Sequence, residues 1–444
     1  MVTAVVLRGD AAHLPLPDAS VDLIVTSPPY WGLRSYTDNV KCLKCIDMER
    51  DGRDPRQAWP DYDAHVRRDH VQHYDGQIGS EATPAEYIDA LVACTREWVR
   101  VLKPQGSLFV NLGDKYAQDE ERSRNGLGAR NTGLASGAVI AAQTIRLGRK
   151  DNGVQRKSLL GLPWRYALAC MDDLGLILRA EIIWDKPNGL PESVADRVRR
   201  SHEQVFHFTV RPRYYAAVDE IREPHSDTSL HARTRRDRTD KRLVAANGGQ
   251  TSAANPLGKL PGSVWPIPSA PLTVPAHLGV DHFAAYPPEL CRRIIAGWSP
   301  PGICTECGEG RRPVSDAVKH LTRPIGAQQV GTRMVARGPG DETRSNVGNV
   351  ETLRTITGYA CACPQPDAPT RPAVVLDPFG GTGTTALVAA SLGRAGITVD
   401  RSGDYCRLAR WRTADPGERA RVLGVPRPPP VPDGQASLFD LDAS

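Results

Sequence analysis

The chain has 444 residues, of which 40% are hydrophobic and 24% charged, and its formal net charge is +5. This length exceeds one typical domain, and the composition is sufficient for a substantial core with insertions. No run of about 18 apolar residues occurs, and the first residues lack a charged segment followed by an apolar core, so we expect a soluble, cytoplasmic protein without a membrane anchor.

The first predicted elements are a short strand and the apolar run 21–26, which leads directly into Ser27-Pro28-Pro29-Tyr30. Prolines remove N–H donors and stiffen a turn, so the hydroxyl of Ser27 and the carbonyl of Pro28 can serve as hydrogen-bond acceptors. Tyr30 adds a flat ring on which a base rotated out of a duplex can stack. The tetrapeptide predicts a site for the exocyclic amino group of a DNA base, although paired prolines also mark ordinary turns.

A polar stretch without periodicity, residues 37–80, interrupts the core and is predicted to be an insertion. Residues 118–157 are rich in Gly, Arg, Asn and Ser and are predicted to form a mobile loop. Between them, residues 84–103 have helical periodicity, with an apolar face made by Tyr87, Leu91, Cys94, Trp98 and Leu102.

A basic block lies in residues 233–242, which contain six Arg or Lys and two Asp. Such a block is often only a solvated loop, but in a chain that handles DNA it favours contact with phosphates. The candidate nucleic-acid contacts are Arg233, Arg235, Arg236 and Arg238.

The cysteine spacing predicts a metal site. Cys304 and Cys307 form a knuckle-like pair, and Cys361 and Cys363 could complete a four-thiolate zinc site. A weaker second candidate combines Cys42 and Cys45 with His65, His70 and His73 downstream, because no second pair there has diagnostic spacing. No cysteine follows a proline, the arrangement that attacks cytosine at ring carbon five, so covalent ring methylation is disfavoured.

A glycine-rich loop follows the apolar run that ends at Asp377, and a helix-like segment follows the loop. Strand, glycine-rich turn and helix in this order bring the backbone close to a nucleoside cofactor. Asp400 closes the next apolar run, where a carboxylate can bind ribose hydroxyls. The loop lacks the Gly-Lys-Ser/Thr ending of a phosphate-binding loop, so a nucleoside triphosphate is the poorer interpretation.

With both motifs, the chain resembles the amino-group DNA methyltransferases, in the permuted class in which the catalytic motif precedes the S-adenosylmethionine motif. The resemblance spans most of residues 1–415 and includes the blocks 101–114, 179–188, 202–203 and 282–290. It implies an α/β, Rossmann-like S-adenosylmethionine-dependent methyltransferase fold, circularly permuted, with inserted target-recognition and zinc-binding segments.

The resemblance also implies site residues. The catalytic set would be Ser27, Pro28, Pro29 and Tyr30. The cofactor-binding set would be Asp10, Phe283, Pro287, Asp377, Phe379, Gly381, Gly383, Thr384 and Asp400. Asp10 would lie near the adenine, although an Asp after a strand is more often a turn residue.

In this family a serine at the first motif position is commoner among cytosine enzymes, and an aspartate among adenine enzymes. We therefore expect methylation of cytosine N4 in double-stranded DNA by base flipping and direct displacement, with adenine N6 as the alternative. A protein glutamine methyltransferase would usually have asparagine first and the cofactor motif upstream. A non-catalytic DNA-binding relative is disfavoured by the intact motifs.

This interpretation divides the chain into eight parts. The catalytic half would comprise residues 1–117 and 158–216, separated by the mobile loop 118–157. Target recognition would occupy 217–275, followed by a cofactor-side helix at 276–302, a zinc-binding insertion at 303–370, the S-adenosylmethionine-binding half at 371–415, and a Pro-rich tail at 416–444.

There are two candidate protein partners. Residues Gln435 to Leu441, which include the pair Leu438-Phe439, resemble the short peptide with which bacterial DNA-handling proteins dock on the replication sliding clamp. The same segment could instead fold back onto the domain. A restriction nuclease is the second candidate, for which the sequence itself carries no signal.

Overall fold

The structure is a computed structural model. It describes residues 4–32, 37–39, 44–45, 48, 51–57, 71–73, 76–117, 154–155, 157–225, 255–275, 278, 286–321, 350–365 and 367–427.

The described residues contain fourteen strands and six α-helices. The strands are β1 (Ala4–Arg8), β2 (Val21–Thr26), β3 (Thr37–Asn39), β4 (Val71–His73), β5 (Leu102–Leu112), β6 (Ile177–Asp185), β7 (His202–Thr209), β8 (Val264–Pro266), β9 (Ile303–Cys304), β10 (Arg312–Leu321), β11 (Val350–Ala360), β12 (Thr370–Arg371), β13 (Val374–Asp377) and β14 (Ala395–Asp400). The helices are α1 (Pro84–Val101), α2 (Leu162–Leu174), α3 (Pro288–Trp298), α4 (Thr384–Ser391), α5 (Gly403–Ala414) and α6 (Pro416–Leu423).

Eight strands form the central sheet, in the order β1-β14-β13-β2-β5-β7-β6-β8. The first five of these are parallel to one another, and β7 is antiparallel to both β5 and β6. The carboxyl ends of β2, β5, β13 and β14 therefore share one edge of the sheet with the start of β7. Strand β13, near the end of the sequence, lies beside β2, near its beginning, so the two motifs meet in the order expected of a permuted chain. The predicted α/β class is confirmed.

Strand β2 shows that both faces of the sheet are covered by helices. All six of its residues are buried, as expected for a central parallel strand. Ile24 belongs to the core that contains residues of α1 and α2, whereas Leu23 and Val25 belong to the core that contains residues of α3 and α4. The sheet is the middle layer of three.

Helix α1 begins at a capping box in which Thr83 and Glu86 bind each other's backbone N–H groups, with Pro84 in the first turn. Its predicted apolar face is confirmed, because Tyr87, Leu91, Cys94 and Trp98 are all buried. The helix ends at Val101, two residues earlier than predicted, because Leu102 is already extended and starts β5.

Several segments named from the sequence can be placed only in part. Within the proposed recognition region, Val264–Pro266 form β8, an edge strand of the central sheet, and Trp265 is buried. Within the proposed tail, Pro416–Leu423 form α6. The mobile loop, apart from residues 154–155 and 157, the basic block 233–242 and residues 428–444 lie outside the described residues. Among the helices that are described, none is long and apolar enough to cross a membrane.

Candidate active site

The Ser27–Tyr30 segment leaves the carboxyl end of β2 in the middle of the sheet. Pro28 is buried, whereas Ser27 and Tyr30 are partly buried. The segment is tied to α1, because the hydroxyl of Tyr87 donates a hydrogen bond of 2.9 Å to the carbonyl of Pro29. The turn is thus fixed by packing and by a specific hydrogen bond.

The ring of Tyr30 lies against the backbone of Gly113, just beyond β5. A Cβ atom at position 113 would lie 2.6 Å from Cε2 of Tyr30, closer than side chains tolerate. Glycine at this position therefore allows the ring to occupy its place beside the end of β5. A larger residue at 113 would force the ring or the backbone beside it to shift.

A polar network surrounds the Tyr30 hydroxyl. This hydroxyl donates to Oε2 of Glu203, at the start of β7, over 2.6 Å. Asn111, near the end of β5, donates through Nδ2 to the Tyr30 hydroxyl at 2.9 Å and to Oε2 of Glu203 at 2.8 Å. Burial, and then the charge of Glu203, raise the pKa of Tyr30 well above its usual value. Tyr30 therefore remains a neutral hydrogen-bond donor.

A cavity of about 200 Å³ brings the two sequence motifs together. Ser27 and Pro29 from the first motif face Phe379, Gly381 and the end of β14 from the second. The cavity is lined by Gly9, Asp10, Ala11, Ala12, Ser27, Pro29, Gly76, Gln77, Ile78, Pro378, Phe379, Gly381, Asp400, Arg401, Ser402 and Tyr405.

Asp400 organises the glycine-rich wall of this cavity. One carboxylate oxygen accepts from the backbone N–H of Gly381 and the other from that of Ser402, both at 2.8 Å. The loop then turns into α4 at Gly383, whose φ of 73° is a left-handed conformation that favours glycine. Phe379 is held edge-on against Trp98, with ring centroids 5.7 Å apart.

Asp377 lies beneath the loop and outside the cavity lining. It accepts hydrogen bonds from the hydroxyls of Thr26, Tyr286 and Thr385 and from the backbone N–H of Phe379. Burial raises the pKa of its carboxyl group above the usual value, although these donors oppose that shift. Asp377 thus joins β2, the start of α3 and α4 behind the cavity.

Arg412 on α5 supports the loop from the other side. It is 1% exposed and donates to the hydroxyls of Thr382 and Thr384 and to the carboxylate of Glu418. Thr384 is therefore directed into the interior. This role of Arg412 could not be predicted from the sequence, because a single arginine in a helix gives no local signal of its buried partners.

The predicted cofactor residues therefore fall into three groups. Asp10, Phe379, Gly381 and Asp400 line the cavity, and Asp10 also accepts from the backbone N–H of Ala12, as a turn residue does. A second group lies behind the wall or at the buried start of α3, namely Asp377, Gly383, Thr384 and Pro287. The third group is Phe283, which lies outside the described residues, as do the four arginines predicted to contact nucleic acid.

Sequence reasoning also missed roles for Asn111, Lys186 and Glu203. Glu203 belonged to a block that supported the family resemblance, but its contact with Tyr30 depends on how β5 and β7 pair. Strand register across nearly a hundred residues cannot be obtained from local spacing. The ion pair between Lys186 and Glu203 likewise depends on the pairing of β6 with β7.

Away from the cavity, the sulfur atoms of Cys304, Cys307, Cys361 and Cys363 all lie within 4.8 Å of one another. Four sulfurs around a zinc ion at about 2.3 Å would be about 3.8 Å apart, so the cluster fits a tetrahedral site. The backbone N–H of Cys307 is the main cause that lowers the pKa of Cys304 to about 7, towards the thiolate that a metal requires. Of the alternative set, Cys42, His65 and His70 lie outside the described residues, whereas Cys45 is buried and His73 ends β4.

A family model described as DNA methylase, of the N6/N4 type, matches residues 21–304 and 370–410. The chain is 32% identical to the type II methyltransferase M.XycI of Xanthomonas campestris pv. cyanopsidis over 299 residues, which are 66% of this chain and 72% of the relative. It is 31% identical to the type II methyltransferase M.Cfr9I of Citrobacter freundii over 301 residues, which are 67% and 74% of the two chains.

Among solved structures, the PvuII DNA methyltransferase (cytosine-N4-specific) is similar over 95% of this chain and 90% of that chain. The TM-score is 0.46 and the sequence identity 15%.

Proposed function

The chain belongs to the N6/N4 DNA methylase family, and from this premise we propose that it transfers a methyl group from S-adenosylmethionine to the exocyclic N4 of cytosine in double-stranded DNA. The observation that carries the proposal is the cavity in which Ser27 and Pro29 face Phe379, Gly381 and Asp400. A base entering beside Ser27 would meet a methyl donor bound along the glycine-rich wall.

The chemistry follows from the weakness of the nucleophile. The lone pair of a base amino group is delocalised into the ring, so its protons must be held by acceptors that favour a tetrahedral nitrogen. Ser27 and the carbonyl of Pro28 supply such acceptors, and Tyr30 supplies a ring for stacking. Placement does most of the work, since holding two reactants in near-attack geometry contributes about 7 to 11 kcal/mol.

The donor's site is proposed from the residues that line the wall. Asp400 lies at the carboxyl end of β14, where a carboxylate can accept from ribose hydroxyls, and Asp10, which also lines the cavity, would lie near the adenine. Phe379 and Gly381 would contact the nucleoside, while Asp377, Gly383, Thr384 and Pro287 hold the wall from behind. When bound, S-adenosylmethionine supplies an electrophilic methyl group on a sulfonium ion.

The choice of cytosine rests on Ser27, because serine at this position favours cytosine enzymes within the family. Methyl transfer from tritiated S-adenosylmethionine to DNA, RNA and protein tests the proposal, and mass spectrometry of the digested DNA identifies the product. We expect N4-methylcytosine in duplex DNA. Finding N6-methyladenine instead would show that the target base is adenine, and finding labelled glutamine would show that the substrate is a protein. Absence of transfer to any of the three substrates would contradict the assignment of the protein as an enzyme.

We propose that residues 217–275 carry target recognition, with Arg233, Arg235, Arg236 and Arg238 at DNA phosphates. The edge strand β8 would then anchor this region to the central sheet, because Trp265 packs in the core. A restriction nuclease of the same sequence specificity is the proposed partner in the cell. The remaining boundaries follow the division predicted from the sequence.

We propose that the four clustered cysteines bind one structural zinc ion. Their pairs are separated by more than fifty residues, and the short pairing of β9 with β12 brings Cys304 beside the segment that follows Cys363. A metal would fix the hairpin β10–β11 to the sheet next to the cofactor strand.

Elemental analysis after chelator-free purification is expected to find about one zinc per chain. The substitution Cys363→Ser should remove most of this zinc and lower the melting temperature, because one of four ligands is lost. Cys170→Ala is the matched control, since Cys170 is buried in α2 and outside the cluster. Less than about half an equivalent in the unaltered protein, or full zinc in Cys363→Ser, would contradict the proposal.

We propose that residues 435–441 dock on the replication sliding clamp. The Pro-rich residues 426–432 would serve as a spacer, and the adjacent Leu438 and Phe439 would enter an apolar pocket. A peptide of residues 430–444 should bind the purified clamp at micromolar concentration, and changing both residues to alanine should abolish binding. Absence of binding at high micromolar concentration, or binding that survives the double change, would refute it.

A further inference from the structure

A chain of hydrogen bonds leads from Ser27 away from the cavity. The Ser27 hydroxyl lies 3.5 Å from the Tyr30 hydroxyl and donates towards it, and the Tyr30 hydroxyl donates to Glu203 over 2.6 Å. A carboxylate can only accept hydrogen bonds. Glu203 therefore sets the direction of both hydroxyls. Nδ2 of Asn111 lies 3.4 Å from the Ser27 oxygen, which leaves the second lone pair of Ser27 for a donor in the cavity.

Asn111 reinforces this direction. It is 4% exposed, and its Nδ2 lies within hydrogen-bonding distance of both the Tyr30 oxygen and Oε2 of Glu203. The opposite orientation of the amide would place its oxygen against the carboxylate, an unfavourable contact between two acceptors. Asn111 therefore donates to both neighbours. Because the Tyr30 oxygen accepts from Asn111, the Tyr30 hydroxyl directs its own proton to Glu203.

Lys186 holds the far end of the chain. Its ammonium group forms an ion pair with the other oxygen of Glu203, Oε1, and lies 4.1 Å from the ring centroid of Trp184. The side chains of Lys186 and Glu203 are 23% and 15% exposed. Glu203 is thus fixed in position but remains within reach of water, to which a proton can depart.

Resting on the proposed function, we propose that Glu203 is a positioning residue that turns Ser27 towards the base amino group as an acceptor and receives the proton released after methyl transfer. A bond forms between the amino nitrogen and the methyl carbon as the bond from that carbon to sulfur breaks, and its electron pair stays on sulfur. The nitrogen then carries a positive charge and must lose one proton.

That proton passes to the oxygen of Ser27 while Ser27 gives its own proton to Tyr30, and Tyr30 gives its proton to Oε2 of Glu203. The two hydroxyls are unchanged in composition, and one proton has been added to Glu203, from which it leaves to water. The raised pKa of Tyr30 agrees with this scheme, because the group stays protonated and passes a proton along. The long Ser27–Tyr30 distance would shorten when the base is bound.

The decisive variant is Glu203→Gln, which keeps the size and an acceptor oxygen but cannot take up a proton as a carboxylate does. In single-turnover methylation with saturating cofactor and duplex DNA, we expect the rate to fall by about 100-fold, within the usual range for a lost proton acceptor. The dissociation constants for DNA and S-adenosylmethionine should stay within about twofold. Glu203→Asp should recover at least part of the lost rate.

Two further variants make the test specific. Tyr30→Phe keeps the ring but breaks the chain, so it should also be slow, and adding Glu203→Gln to it should cost little more. Glu181→Gln is the matched control, because Glu181 is a partly exposed carboxylate on β6 that accepts from the indole N–H of Trp164 away from the site. It should methylate at the unaltered rate.

The inference fails if Glu203→Gln methylates within about threefold of the unaltered enzyme, or if its loss appears as weaker binding of DNA or cofactor, which would mean that Glu203 only shapes the pocket. Independent, multiplying losses in the double variant would also overturn it. Failure of the proposed function is distinguishable, because the unaltered enzyme itself would then not methylate DNA.

Discussion

Replacing Tyr30 with alanine is expected to slow methyl transfer by roughly 5- to 150-fold through lost stacking alone, since stacking of a base on an aromatic ring contributes about 1 to 3 kcal/mol, and further through loss of the proton chain. Replacing Ser27 with alanine should slow it by about 100-fold, because the amino protons lose an acceptor that also passes a proton. Cofactor affinity should remain nearly intact in both variants, because Asp400 and the glycine-rich wall are unchanged.

Rapid-quench single turnovers give the rates, and calorimetry gives the cofactor affinity. Tyr214→Ala is the matched control, because Tyr214 follows β7 at the opposite end of the sheet from Tyr30. Its rate should equal that of the unaltered enzyme. If either Tyr30→Ala or Ser27→Ala methylates at the unaltered rate, the assignment of the base site to this turn is wrong.

Replacing Asp400 with alanine is expected to weaken S-adenosylmethionine binding by roughly 10- to 150-fold. A hydrogen bond to a charged acceptor typically contributes about 1.5 to 3 kcal/mol, and the ribose would lose its acceptor. The structure adds a second cause, since the carboxylate also holds the backbone N–H groups of Gly381 and Ser402. Loss of these contacts should loosen the wall of the cavity as well.

Calorimetry separates the two causes when Asp400→Asn is compared with Asp400→Ala, because asparagine retains one acceptor oxygen. Its affinity should lie between those of the alanine variant and the unaltered protein. Asp172→Ala, on the exposed side of α2, is the control and should bind normally. An unchanged dissociation constant in Asp400→Ala would move the ribose contact to another residue.

Contiguous patterns allowed much of the architecture to be predicted. The apolar run of β2 and the strand, loop and helix around Asp377 are encoded in neighbouring residues, so their secondary structure could be predicted locally. The cysteine pairs also carried their own spacing, and the structure brings their sulfur atoms together. These signals need no knowledge of which strands pair.

Other parts of the site depend on contacts between distant strands. Glu203 meets Tyr30 only because β7 runs antiparallel beside β5, which itself lies beside β2. Arg412 reaches the glycine-rich loop only because α5 packs beside α4. Even the role of Thr384 depends on this, since its hydroxyl accepts from Arg412 inside the protein. Local spacing cannot distinguish such an inward threonine from one that faces a ligand.

The position of β13 between β14 and β2 has a consequence for folding during synthesis. Thr26 and Asp377 share a buried hydrogen bond although 351 positions separate them. At about 5 to 20 residues per second, a ribosome needs roughly 20 to 70 s to travel between them. During that time β13, which will pair with one edge of β2, does not yet exist, and that edge is open to wrong partners. An unfinished chain is therefore exposed to aggregation through this edge, and it lacks the wall that Asp400 and Gly381 complete.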